Sequence, residues 1–423
     1  MKNSILQFSL LILAILQISC NNPLEKCTIN GRVIGRSSSS LILINALDRP
    51  DPAQAKIHIP IKDSTFSYEF NAKPKQAYWL IFEDDYSSPY GLIPITIFPD
   101  KETIRLILYD PKHVAQNKIF GGELNKQFAT FTEESKLKFD PRMKPYKDSI
   151  EVLIKGKNYF SEEYEELNKE TQKTTNKDSL IVIYKKMEDL GDNALSKPAN
   201  EINRHLDSLY KEKYLWCYNY YSHNQTIVSY YLILNELMYS YNDNKYSDLS
   251  KIKNLVENIS AKYPGHPYDS VAKDMIDAID RIKVGGKFID FTLPDLNGNT
   301  INLSKTIEGK IALIDLWATW CGPCIATSKS MIPVYNEFKN SGFTIIGVAR
   351  EFDNTNQLEK TLEREKFPWI NLVELNNQNG IWIKYGIPTA GGRTFLVDKD
   401  GTILATSPSA DEVRKILTEK LKK

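Results

Sequence analysis

Two cysteines three residues apart, Cys321 and Cys324, close the stretch Trp317-Ala318-Thr319-Trp320-Cys321-Gly322-Pro323-Cys324, directly after the apolar run Ile311-Ala312-Leu313-Ile314-Asp315-Leu316. A thiol at the start of a helix faces unpaired backbone N–H groups and the positive end of the macrodipole, which favour thiolate. A second thiol one turn on can close a ring with the first, giving a reversible two-electron switch. The expected chemistry is thiol–disulfide exchange, with the Cys321–Cys324 disulfide as the redox group and no cofactor. Cys321, first and flanked by Trp320, is the expected nucleophile, and Cys324 the resolving thiol. Gly322 and Pro323 shape the loop between them. The same spacing is also half a zinc site, which would need two more ligands. Cys20, Cys27 and Cys217 form no second such pair, and all five histidines lie upstream; no metal is expected. Cys27 and Cys217 could pair as a structural disulfide or stay as buried thiols.

The elements around this motif are legible from periodicity. Residues 311–316 read as a buried strand, and Met331, Ile332, Tyr335 and Phe338 follow at helical spacing. Upstream, residues 20–118 contain the β-rich runs 41–44, 66–70, 78–82 and 103–108 between prolines, which predicts a small antiparallel β-sandwich-like domain. Residues 119–283 are Lys/Glu-rich and helical in spacing, most clearly at Ile227–Met238 and Val271–Ile279. The charged stretch 162–177 reads as a solvated helix face. Gly285-Gly286 is the expected hinge into a C-terminal module, 284–423. At the other end, Lys2, the apolar run Ile5 to Ile18 and Ser19-Cys20 have the pattern of an export signal over 1–19. A cysteine directly after the small residue resembles a lipoprotein signal, which would make Cys20 the lipidated first residue. An uncleaved membrane anchor is the other reading. The net charge of +1 carries no nucleic-acid footprint.

WCGPC after an apolar strand resembles thioredoxin, and Phe288 to Gly298 resembles the extra hairpin of the TlpA/ResA-like thioredoxins. The resemblance covers about the last third of the chain. It implies a multidomain α/β protein with a C-terminal thioredoxin fold, preceded by a β-domain of the kind found ahead of such modules in exported lipoproteins. It further implies that Asp315 is a buried base for the resolving thiol; a solvent-facing strand-end carboxylate is the alternative. Thioredoxin carries the same Cys-Gly-Pro-Cys and is a reductant. It differs from the oxidant DsbA by about 150 mV, or roughly 7 kcal/mol, so reduction of client disulfides is expected. Two departures stand out. Thr327 occupies a position that often holds glutamate in the family, and Lys329 one that holds a helix-kinking proline, although Pro333 could bend the helix further along.

The family's cis-proline falls on Gly392 without a gap, or on Pro388 with an insertion. Ile387, Pro388 and Gly392 therefore join Trp320, Gly322 and Pro323 as candidate substrate-binding residues. The implied setting is a periplasm-facing lipoprotein of the cell envelope. Its implied partners are client proteins with disulfides or CxxC motifs, one candidate pathway being cytochrome c maturation, and an inner-membrane thiol electron donor. A thiol peroxidase is an alternative, although peroxiredoxins place Thr or Ser three positions before the reactive cysteine and this chain has Ala318 there. A surface-binding lipoprotein with an accessory redox module is the third reading.

Overall fold

The computed structural model describes residues 24–47, 57–87, 92–174, 177–240, 248–387 and 391–421. Among the described residues eight strands come first: β1 (Glu25–Ile34), β2 (Ser40–Asn45), β3 (Ile57–Pro60), β4 (Thr65–Ala72), β5 (Tyr78–Phe82), β6 (Ile95–Ile97), β7 (Ile104–Tyr109) and β8 (Lys118–Phe120). They form two four-stranded sheets, β4-β1-β7-β8 and β3-β2-β5-β6. Phe66, Phe70 and Ala72 of β4 alternate with exposed neighbours and fill the space between the sheets, together with Cys27, Ile29, Leu41, Leu43, Leu80 and Leu106. The pairings are antiparallel except β1–β7, which run side by side in one direction. This departs from a purely antiparallel sandwich because β2, β3, β5 and β6, in the second sheet, intervene between β1 and β7.

Seven helices follow among the described residues: α1 (Glu123–Lys155), α2 (Glu162–Lys173), α3 (Lys177–Asp189), α4 (Lys197–His223), α5 (Ile227–Ser240), α6 (Leu249–Lys262) and α7 (Tyr268–Arg281). Ser161, Ser196 and Asp248 cap α2, α4 and α6 by accepting first-turn N–H groups. No residue of α2 is buried, as its charge pattern implies. The helices share one core with the second sheet: Ala46, Ala77 and Phe98 pack among Tyr231, Ile233, Leu255, Tyr268 and Met275. The Tyr268 hydroxyl accepts the Ala77 N–H at 2.8 Å, and Trp79 Nε1 donates to the Tyr231 hydroxyl at 2.8 Å. Asn125 bridges backbone from α1, accepting from the Phe98 N–H and donating to the Phe98 carbonyl, both at 2.8 Å. Among the described residues no helix is long and apolar enough to cross a membrane.

The C-terminal region runs β9 (Thr292–Pro294), β10 (Thr300–Asn302), α8 (Leu303–Ile307), β11 (Ile311–Trp317), α9 (Gly322–Phe338), β12 (Phe343–Glu351), α10 (Asn356–Glu365), β13 (Ile370–Leu375), α11 (Ile381–Lys384), β14 (Arg393–Val397), β15 (Ile403–Thr406) and α12 (Ala410–Leu421). Its five-stranded sheet has the order β13-β12-β11-β14-β15, parallel across the first three strands and antiparallel beyond. Helices α9, α10 and α12 cover one face, and α8, α11 and the β9–β10 hairpin cover the other. All seven residues of β11 are therefore buried, which is why that strand reads as an unbroken apolar run. Gly285-Gly286 is not a free hinge. The Gly285 N–H donates to the Ile403 carbonyl at 2.9 Å and the Ile403 N–H to that of Gly286 at 2.8 Å, so the pair is stitched to β15. A side chain at Gly286 would meet the Arg281 carbonyl at 2.0 Å; the glycine makes the tight turn off α7 possible.

Candidate active site

The C-terminal end of β11 delivers the cysteines. Ala318 to Cys321 form a turn, with the Cys321 N–H donating to the Ala318 carbonyl at 3.1 Å. Cys321 caps α9, and its sulfur accepts the Cys324 N–H at 3.3 Å. The two sulfurs are bonded, with Cα atoms 5.2 Å apart. Cys321 is 9% exposed and Cys324 half-buried, with Gly322 and Pro323 exposed between them. Pro323 is tolerated in the first turn because its missing N–H would have no partner there.

Beneath the disulfide, Asp315 sits on the buried centre of β11, 2% exposed. Burial pushes its carboxyl from 3.8 up to about 7, and a hydrogen bond from Ser328 pulls the other way. The Ser328 hydroxyl lies 2.6 Å from Asp315 Oδ2 and 3.1 Å from the Cys324 carbonyl, so one side chain links the carboxyl to the turn that carries the second cysteine. Ser328 follows Thr327, the position singled out from sequence, but Thr327 itself faces solvent. Pro333 lies inside α9, and Lys329 pairs with Glu365 at 2.8 Å.

A second buried acid was not found from sequence. Glu351, at the end of β12, accepts the Thr319 N–H at 3.1 Å and the Thr319 hydroxyl at 3.0 Å, and burial pushes its carboxyl up. It pins the loop leading into Cys321. Trp320, 47% exposed, stacks on Phe352 with ring centres 6.1 Å apart. The Arg350 guanidinium lies 5.4 Å from the Phe352 ring and 5.4 Å from the Trp382 ring. The sequence signal available was a strand ending in Arg350-Glu351-Phe352, charged where a buried strand should stay apolar.

Gly392 backs directly onto β11: a Cβ there would stand 1.8 Å from the Leu316 carbonyl oxygen and 3.0 Å from the Trp317 Cα, so no side chain fits without displacement. Ile387 is buried in the core beneath the sheet, its N–H bonded to the Trp382 carbonyl at 2.8 Å. Pro388 and Cys20 lie outside the described residues. Cys27 and Cys217 are separate buried thiols, not a disulfide. Burial raises both, Cys217 to about 12, which keeps them protonated.

Residues 284–406 match the family model described as the AhpC/TSA family. The thiol-disulfide oxidoreductase ResA of Bacillus thuringiensis subsp. konkukian is 31% identical over 150 residues, which are 34% of this chain and 80% of that protein. The chain belongs to the ResA-like thiol-disulfide oxidoreductases of the thioredoxin family. ResA of Halalkalibacterium halodurans is 35% identical over 127 residues, 29% of this chain and 66% of that one. A solved thioredoxin domain of a thiol-disulfide oxidoreductase from Bacteroides vulgatus aligns at 27% identity and a TM-score of 0.30, covering 33% of this chain and 98% of that domain. Each ResA-like match thus accounts for about one third of the chain.

Proposed function

We propose that the Cys321/Cys324 dithiol reduces disulfides of client proteins outside the cytoplasm, from a protein tethered to the membrane by a lipid on Cys20. The Cys321 thiolate attacks one client sulfur, forming a mixed disulfide and releasing the other client sulfur, which takes up a proton. Cys324 passes its proton toward Asp315 and attacks Cys321 Sγ, closing the enzyme disulfide and freeing the second client thiol. Two electrons move from enzyme to client; the first client thiolate takes its proton from solvent and the second takes the one passed from Cys324 through Asp315. An inner-membrane thiol donor later returns two electrons and two protons to restore the dithiol. The placement that carries this reading is a cysteine pair at a helix N-terminus above a buried carboxyl near neutrality, which suits proton exchange at physiological pH.

Trp320, Gly322, Pro323 and the Gly392 edge form the surface a client meets, and Cys-x-x-Cys proteins of cytochrome c maturation are one client class. The test is reduction of insulin disulfides. Cys321→Ser abolishes it and Cys324→Ser accumulates a mixed disulfide; full activity in Cys321→Ser would reject the assignment. A midpoint potential near thioredoxin's, about −270 mV, supports reduction, and one near about −120 mV would reverse the direction.

A further inference from the structure

The edge of the site at Gly391-Gly392 has no side chain of its own to fix it, yet it backs onto the strand that carries the cysteines. Beyond the pairing of β14 with β11 that begins at Arg393, its restraint comes from another element: Trp382 of α11, 3% exposed, donates its indole N–H to the Gly391 carbonyl at 2.8 Å. The other ring contacts of Trp382 lead to the opposite wall. Arg350 lies between the Trp382 and Phe352 rings, and Phe352 stacks under Trp320, the exposed ring next to Cys321. One continuous stack therefore spans from Trp320 to the Gly391 carbonyl. Its far end is anchored outside the redox module, because Ile383, the next residue of α11, packs against the helical core built by α5, α6 and α7.

We propose that Trp382 is a positioning residue for client binding: its indole N–H holds the Gly391-Gly392 edge in place, linked through Arg350 and Phe352 to Trp320, for an extended client segment. The inference rests on the reading that the site acts on protein disulfides. A glycine pair has the widest backbone freedom of any dipeptide, so an untethered edge would pay ordering entropy each time a client bound. The indole bond removes part of that cost beforehand. A small disulfide, which needs only the sulfur of Cys321, would not sense the edge.

Trp382→Phe in the full-length protein keeps an aromatic ring at this buried position but removes the N–H together with the second ring of the indole. Amide hydrogen exchange at Gly391 and Gly392 of the oxidised protein, a readout needing no client, should accelerate about tenfold. The KM for insulin should rise about tenfold with kcat within about twofold. The rate with oxidised glutathione and the midpoint potential should not move. Trp382→His, which retains a ring N–H, should fall between Trp382→Phe and the wild type, and thermal melting checks that both variants fold. Unchanged exchange, an unchanged insulin KM, or an equal loss with glutathione would each overturn the proposal. Faster exchange in a protein whose wild type reduces no protein disulfide would instead uphold the tether and sink the reading of the site.

Discussion

Asp315 is where the site's proton chemistry meets its stability. Its folded value, about 7, stands above the 3.8 of an exposed aspartate, so the folded protein holds this proton more tightly than the unfolded chain. Stability from this group is complete below about pH 4 and is lost as the pH climbs through about 7. The rise corresponds to roughly 4 kcal/mol at most. Asp315→Asn should therefore raise the melting temperature at pH 8 and leave it nearly unchanged at pH 4, while slowing release of the mixed disulfide and removing the activity step near pH 7. Ser328→Ala deletes a stabiliser of the ionised carboxyl, so that activity step should move to higher pH. Asp315 could be singled out from sequence because, six residues before Cys321, it falls where the resemblance to thioredoxin implies a buried aspartate. Ser328 could not, and the charge at Glu351 marked only the end of an apolar strand, because only the fold brings Ser328 under Asp315 or Glu351 under Thr319. The Thr319 hydroxyl is committed to Glu351, and Ala318 offers none, so peroxide turnover without a partner thiol should stay negligible in a coupled consumption assay.

At the scale of elements, the loop from β11 to α9 is held at both ends. The N-cap of α9 fixes Cys321, and Glu351 fixes Thr319. Thr319→Val removes one of the two donors to a buried carboxylate and should cost about 1–3 kcal/mol in urea unfolding, with a larger proportional loss as rising pH ionises the acid. Strands such as β4, β5, β7 and β11 announced themselves through alternation or unbroken apolar runs. β1 escaped because Asn30, Gly31 and Arg32 interrupt it: its outer face is solvated and Gly31 lies tight against Phe66 and Leu106. β3, β6 and β8 are three or four residues long, too short for periodicity to register.

For the whole molecule, the β-rich and helical regions differ in composition and so read as separate units, yet they share a core. Composition reports which elements a segment forms, whereas the partner of a buried face is a tertiary property. Tyr268→Phe leaves the buried Ala77 N–H without its acceptor and should cost about 1–3 kcal/mol. The loss should appear equally whether unfolding is followed through the strands or the helices; two separate transitions would contradict a shared core. The Gly285-Gly286 stitch to β15 extends this continuity into the redox module. The stitch leaves the connection from α7 no free hinge at the glycine pair. On the proposed function, a client and an electron donor would both have to approach the exposed Gly322-Pro323 turn beside Cys321, so that the visit of one excludes the other.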